Sequence, residues 1–288
     1  MKISSTSIQN IKNEMTDGLS GLYEKNEAGN IASLLIEHVC KMDKTRQISD
    51  SGFIPGRNTI NKLNQLFNKL MSGMPIQYVL GETEFYGRKF HVNPSVLIPR
   101  PETEEMVDLC IRNYNNTPDL RILDIGTGSG IVAVSLAVEL NNPVMYACDV
   151  SGDILQVAKQ NAALHDVDVT FLCNDIMKNP DDLPSNLDCI VSNPPYVTNK
   201  EKLTMHKNVL DFEPKHALFV PDNDPVIFYR QIARIANKKL KTCGMIICEI
   251  NAAYARESIK CFSDLNFCSI FVHDDLNKND RILIATKP

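Results

Sequence analysis

Arg121-Ile122-Leu123-Asp124-Ile125-Gly126-Thr127-Gly128-Ser129-Gly130 decides the fold. A short apolar run leads straight into three alternating glycines, and residues from about 130 to 139 then read as a helix. Strand, glycine turn and helix together open an α/β unit. Glycines there permit positive φ and let the backbone approach a ligand at the helix N-terminus. Asp149 ends the second apolar run, about 20 residues on, where such folds bind ribose hydroxyls. A dinucleotide fingerprint needs G-x-G-x-x-G, but position 131 is Ile and the spacing is G-x-G-x-G after an acid. A carboxylate at 124 is poorly placed beside a pyrophosphate and favourable beside an ammonium group. A ligand that joins adenosine to an amino-acid ammonium is S-adenosylmethionine. The plain alternative is a tight strand-to-helix turn with no ligand. Past the third strand, Ile176 suits an adenine face, and Asp175 either meets the ligand or caps a turn.

Outward from this stretch, apolar runs and amphipathic segments alternate. Strands are expected at 121–125, 143–148, 168–172, 187–192, 243–250, 267–273 and 281–286. Helices are expected at about 130–139, 152–164, 225–239 and 254–264. This order predicts a mostly parallel sheet covered on both faces. The last two strands are too close for a crossover helix and should pair antiparallel. Residues 1–73 read as helical. Ile8, Ile11, Met15 and Leu19 share one face. So do Ile31, Leu34, Leu35, His38, Val39 and Met42, and again Ile60, Leu63, Leu66, Phe67, Leu70 and Met71. His38 on such a stripe is read as a core histidine. Between the two regions, Glu84-Phe85-Tyr86 and Lys89-Phe90-His91-Val92 flank Gly87-Arg88 as a β-hairpin. Pro101, with acids after it, starts a helix. The division expected is 1–75 helical, 76–98 hairpin linker and 99–288 α/β.

The fourth strand, Cys189-Ile190-Val191-Ser192, runs into Asn193-Pro194-Pro195-Tyr196. The C-terminal ends of strands in an open α/β sheet are where ligands sit. Two prolines fix two φ angles and remove two backbone donors, leaving a stiff corner of carbonyls, one amide and one ring. Such a corner suits a planar group bearing NH2. The Asn oxygen and a Pro carbonyl each accept one N–H, and Tyr196 covers the π-face. The tetrapeptide is also an ordinary turn signal, although average usage puts it in only about one chain per thousand of this length. A donor loop after strand one and an amide-reading corner after strand four face one crevice. That geometry supports direct methyl transfer to a planar nitrogen, with no metal and no covalent nucleophile required.

The 288 residues, 43% hydrophobic and 23% charged, are those of a soluble globular chain. A net charge of -5 and a pI near 5.7 argue against a broad nucleic-acid-binding surface. The nine cysteines form no CxxC pair, Cys243 and Cys248 being nearest, and read as reduced, buried thiols of a cytoplasmic protein. Met1–Asn10 lacks the apolar core of a leader, and no apolar run approaches the ~18 residues of a membrane span.

At these residues the chain resembles the release-factor glutamine methyltransferases, nearly end to end. Pro75-Ile76-Gln77-Tyr78 and Gly81–Gly87 look like that family's linker. Leu97–Glu104, reading LIPRPETE, is similar to its most recognisable segment. DIGTGSG, Asp149, VSNPPY and Phe212-Glu213-Pro214 with Ala217-Leu218 follow in its order. The resemblance implies a class I S-adenosylmethionine-dependent methyltransferase domain with a Rossmann-like α/β sheet, a small all-helical N-terminal domain and a β-hairpin linker. It implies N5-methylation of the glutamine in the Gly-Gly-Gln loop of peptide chain release factors, in support of translation termination, with S-adenosylhomocysteine as product. By carry-over, Gly126, Thr127, Gly128, Ser129, Gly130, Asp149, Ile176 and Asn193 contact the donor. Asn193, Pro194, Pro195 and Tyr196 meet the glutamine amide, and Asn193, Pro194 and Tyr196 are the catalytic group. A monomer acting on release factors, without direct nucleic-acid binding and without a membrane, is expected. Two loops depart from the family. Glu249-Ile250-Asn251 stands where Glu-Ile-Gly is usual, and Asn277–Arg281 lacks the usual glycine. Arg100, Glu102 and Glu213 either shape the substrate pocket or form ion pairs and a helix cap.

The same chemistry on an adenine or guanine amino group is the nearest competing reading, because an exocyclic amine and an amide are both planar NH2 groups. The acidic charge and the helical N-terminal region favour a protein substrate. A nicotinamide dehydrogenase is disfavoured by the glycine spacing, and a non-catalytic adapter by complete motifs at both donor and acceptor sites.

Overall fold

In the computed structural model, residue 3, residues 7–115 and residues 117–288 are described. Of the opening segment read for a leader, residues 1–2 and 4–6 lie outside them. By internal contacts the chain divides into Met1–Glu82 with His206–Phe212, and Thr83–Met205 with Glu213–Pro288.

The first unit holds α1 (Ile8–Leu19), α2 (Lys25–Cys40), α3 (Lys44–Ser49), α4 (Arg57–Met71) and α5 (Ile76–Leu80). Ser7 caps α1 by accepting from the Asn10 N–H, and Asp43 caps α3 by accepting from that of Arg46. Ile8, Ile11, Met15 and Leu19 are fully buried, as their spacing predicts. The face of α2 is rotated from the predicted one. Ala32 and Ile36 are buried while Leu34 is 39% exposed, because α2 packs against α1 and α4 together and small Ala28 and Ala32 allow the close approach. Met42 lies past the end of α2, where Lys41 turns left-handed. The single turn of α5 was not expected; its five residues are too few to show a period.

The hairpin of β1 (Glu82–Phe85) and β2 (Arg88–His91) belongs to the second unit from Thr83 onward. After α6 (Pro101–Tyr114) come β3 (Arg121–Ile125), α7 (Ile131–Glu139), β4 (Val144–Asp149), α8 (Gly152–Leu164), β5 (Val169–Cys173) and β6 (Leu187–Ser192). An excursion then carries β7 (Val197–Thr198), α9 (Lys207–Phe212) and β8 (Phe219–Val220). The chain closes with α10 (Ile227–Lys239), β9 (Leu240–Glu249), α11 (Ala255–Ser263), β10 (Cys268–Asp274) and β11 (Asp280–Thr286). The seven-stranded sheet has the order β10-β11-β9-β6-β3-β4-β5. All pairs from β9 to β5 are parallel, and β11 runs antiparallel to both β9 and β10. The expected fold class, with its antiparallel final pair, is therefore present.

Alternation puts each strand's side chains on two cores. Ile122, Cys189, Val191 and Ile247 face α6 and α7, and Leu123, Ile190, Ile246 and Cys248 face α10 and α11. The chain leaves β3 toward β4 and β5 and later returns to its other side with β6, so a crevice opens at the strand ends where the order reverses.

Three features differ from the sequence reading. β9 starts at Leu240 rather than 243, because Cys243 in left-handed backbone (φ 62) absorbs a register shift against β6. Residues 197–220 contain structure that no periodicity marked. Their α9 groups by contacts with the first unit, where Asn208 Nδ2 donates to Tyr23 Oη at 2.8 Å. All nine cysteines are free, but Cys173, Cys243 and Cys268 are exposed rather than buried, sitting at a strand end, a bulge and an edge strand. Among the described residues no helix is long and apolar enough to cross a membrane.

Candidate active site

The crevice of the second unit contains a cavity of about 290 Å³ at the ends of β3, β4, β5 and β6, on the scale of small-molecule sites (~300–1,000 Å³). Gly126, Thr127, Gly128, Ser129, Asp149, Ile176, Asn193, Pro194 and Pro195 all line it. The two remaining candidates, Gly130 and Tyr196, do not.

The loop after β3 turns through positive φ at Gly126 and Gly128 (72° and 54°), and a Cβ built on either meets nothing within 4 Å. Gly130 is different: its Cβ would lie 2.9 Å from the Ala158 Cβ, so this glycine lets α7 start against α8. Asp124 lies beneath the loop, 1% exposed, and its Oδ2 accepts from Thr127 Oγ1 at 2.7 Å. Burial pushes its carboxyl up to about 7, against that hydrogen bond, and the neighbouring Asp149 adds to the rise. Asp149 ends β4 with Oδ2 accepting from the Gly128 N–H at 2.9 Å and Oδ1 from that of Val150 at 2.8 Å. Each oxygen keeps a lone pair for a further donor. Burial raises this carboxyl as well.

On the cavity wall, Ile176 is 9% exposed and stands with Ile154 and Phe228 as apolar surface. Asp175 lines the cavity but also caps its own turn, its Oδ1 accepting from the Met177 N–H at 3.0 Å. Its Oδ2 pairs with Lys178, which lowers its pKa.

The corner after β6 is held from beneath. Ser192 Oγ donates to the Ile125 carbonyl at 2.7 Å, tying β6 to β3. Asn193 Nδ2 donates to Thr103 Oγ1 at 3.1 Å, and Thr103 Oγ1 donates to Glu249 Oε2 at 2.8 Å. Tyr196 Oη donates to the other Glu249 oxygen at 2.8 Å, so the ring packs on the core side of the corner. The Tyr196 carbonyl accepts from Asn251 Nδ2 at 3.0 Å, and the same amide reaches Glu201. Asn251, at the first loop departing from the family pattern, thus braces the corner. Arg100 lines the cavity and pairs with buried Glu213 at 2.7 Å, whose other oxygen accepts from the Ile98 N–H. Glu102 stands in the first turn of α6 and does not line the cavity.

Sequence reasoning did not single out Thr103 or Glu249. Both stood inside quoted motifs, but their contact spans 146 positions and no spacing encodes it. Among the described residues no cluster of three or more His, Cys, Asp or Glu could hold a metal.

The loop and wall fit an adenosine-containing methyl donor. Open space lies over Gly126 and Gly128, carboxyl oxygens of Asp124 and Asp149 stand as acceptors, and an apolar wall stands at Ile176.

Residues 104–216 match the family model "Methyltransferase small domain", and residues 16–81 match "PrmC N-terminal domain". The release factor glutamine methyltransferase of Flavobacterium psychrophilum is 38% identical over 279 residues, covering 96% of this chain and 98% of that one. Its counterpart in Bacteroides thetaiotaomicron is 43% identical over 226 residues, covering 78% and 81%. Among solved structures, a Pyrococcus furiosus methyltransferase aligns with a TM-score of 0.52 at 16% identity, over 81% of this chain and 99% of that one. The Thermus thermophilus 16S rRNA N2 G1207 methyltransferase, in complex with AdoMet and guanosine, aligns with a TM-score of 0.53 at 14% identity, over 72% and 50%. At those identities the two structures speak for the fold, while the relatives, matched over 78% to 96% of this chain, speak for more: the chain belongs to the release factor glutamine methyltransferase family.

Proposed function

We propose that this chain transfers a methyl group from S-adenosylmethionine to the side-chain amide nitrogen of the glutamine in the Gly-Gly-Gln loop of a peptide chain release factor. The observation that carries the reading is the Asn193 corner. Its Nδ2 is committed to Thr103, its Oδ1 meets no donor among the described residues, and the cavity beside it is shared with the glycine loop.

The donor, when bound, supplies an electrophilic methyl group. Residues 126–129, Asp149 and Ile176 would hold it, Asp149 by accepting from ribose hydroxyls and Ile176 by covering a flat base. An amide nitrogen is a weak nucleophile because its lone pair is delocalised into the carbonyl. Asn193 Oδ1 and the Pro194 carbonyl would each accept one N–H of the substrate amide and hold it in one orientation; as the N–C bond forms and the S–C bond to the methyl breaks, the nitrogen would release one of those protons to water. Hydrogen bonds that fit best as the amide loses its planarity act in the transition state more than in the ground state. Pro194 and Pro195 have no N–H, so neither donates to the substrate amide.

A labelled-donor assay tests this reading. The full chain is incubated with a purified release factor in one tube and total RNA in the other. Label is expected in the protein fraction alone. Label in RNA would replace the reading with methylation of a nucleic-acid amine, and no label in either would remove it.

A further inference from the structure

Thr103 lies in the first turn of α6, inside LIPRPETE, and is 2% exposed. Its hydroxyl is used twice, as donor to Glu249 Oε2 at 2.8 Å and as acceptor from Asn193 Nδ2 at 3.1 Å. Glu249 is 1% exposed, and its second oxygen accepts from Tyr196 Oη at 2.8 Å. Burial raises the Glu249 carboxyl, the hydrogen bonds from Thr103 and Tyr196 oppose that rise, and in the charged form they favour it can only accept. The Thr103 hydrogen therefore goes to Glu249, and only lone pairs of Oγ1 face Asn193. The NH2 end of the asparagine must point at Thr103, and the oxygen end is left over. This polarity matters because the two ends of an asparagine amide are nearly identical in shape. Turned round, Asn193 would present NH2 to the NH2 of a substrate amide, a donor facing a donor.

We infer that Glu249, acting through Thr103, fixes the polarity of the Asn193 side chain so that its oxygen is the end offered to the substrate amide; this rests on the methyl-transfer reading above. Glu249 and Thr103 are positioning residues. Neither needs to exchange a proton with the substrate, and both act through the orientation of one amide.

Thr103→Val keeps the shape and removes the hydroxyl, whereas Thr103→Ser keeps the hydroxyl. In single-turnover methylation of a release factor, Thr103→Val should be slower by about 10- to 100-fold, the effect of leaving one buried donor unpaired. Its donor affinity should stay within about twofold and Thr103→Ser should recover the rate, as expected of a pair coupled through one hydrogen bond. The double variant Thr103→Val/Asn193→Ala should be no slower than Asn193→Ala alone. A second readout needs no activity: in NMR of the protein alone, exchange of the Asn193 side-chain NH2 with water should accelerate in Thr103→Val and not in Thr103→Ser. If Thr103→Val does not fold, Glu249→Gln carries the same comparisons, since its amide can offer either end to Thr103. Unchanged exchange, or rate losses that simply add in the double variant, would overturn the inference. Failure of the methyl-transfer reading looks different: wild type would then leave the release factor unmodified, while the exchange comparison would still decide whether the relay holds Asn193.

Discussion

At the scale of single residues, the site rests on amides and carboxylates whose partners fix what remains available. Asn193→Ala removes the acceptor that the corner offers. Turnover on a release factor should fall roughly 100- to 1,000-fold, the size of losing one preorganised hydrogen-bonding group. Donor affinity, measured separately by calorimetry, should fall much less, because the loop and Asp149 are untouched. A loss confined to donor binding would mean that the corner is only a turn. Asp124 makes a second prediction. Its carboxyl titrates at about 7 in the folded chain against the ordinary value of 3.8. The native state therefore binds the extra proton, and stability falls as pH rises from about 4 to about 7. Below that window both states are protonated and the penalty is absent. Above it the penalty is complete, on the order of 4 kcal/mol. Asp124→Asn carries no charge and keeps an acceptor for Thr127. Its thermal midpoint relative to wild type should be higher at pH 8 than at pH 5, and a difference independent of pH would contradict the burial of a titrating carboxyl there. The acid itself was visible in the sequence beside its glycines. Its hydrogen bond to Thr127, three positions on, was not, because a side chain's direction inside a glycine turn depends on φ values that composition does not report.

At the scale of elements, the parts that were legible are those whose period is long enough to read. Leu187–Ser192 was recognised to the residue because the run is continuous and ends at a proline pair. Gly126–Gly130 was recognised as a turn, but its glycines differ in purpose. Gly126 and Gly128 open space toward the cavity, whereas Gly130 admits α8. The alternating spacing shows where glycines stand and not what each one faces. Gly130→Ala should therefore lower the thermal midpoint through two effects, left-handed backbone (φ 81) and overlap with Ala158, each worth about 1–3 kcal/mol. Adding Ala158→Gly should restore only a fraction, because the Ala158 Cα stays 3.1 Å from the new Cβ and a glycine inside α8 itself costs about 1 kcal/mol. Full recovery would show that backbone strain contributes nothing. The excursion at 197–220 was illegible because its pieces, two-residue β7 and β8 and six-residue α9, are shorter than any period.

At the scale of the molecule, the residues that line the cavity fall between Ser95 and Phe228 and belong to the second unit. The first unit contributes its own core and surface and no lining residue. A chain beginning at Thr83 should keep donor affinity while losing turnover on an intact release factor, since a glutamine loop alone offers far less contact than the ~1,200–2,000 Å² of a stable protein interface. Calorimetry and a methylation assay on the same preparation separate the two; full turnover without residues 1–82 would assign them another role. That β9, β6, β3, β4 and β5 run parallel followed from alternation, whereas their order across the sheet did not, because no crossover helix joins β5 to β6. The grouping of α9 with the first unit did not follow, because contacts between residues near 23 and near 208 leave no trace in local pattern. The claim that unites the scales is that one cavity brings a methyl donor to the nitrogen of a glutamine side chain. Tandem mass spectrometry of a release factor, after incubation with the full chain and S-adenosylmethionine, tests it most directly. One methyl group on the side chain of the Gly-Gly-Gln glutamine is the expected result, and a methyl group on any other residue, or none, would contradict it.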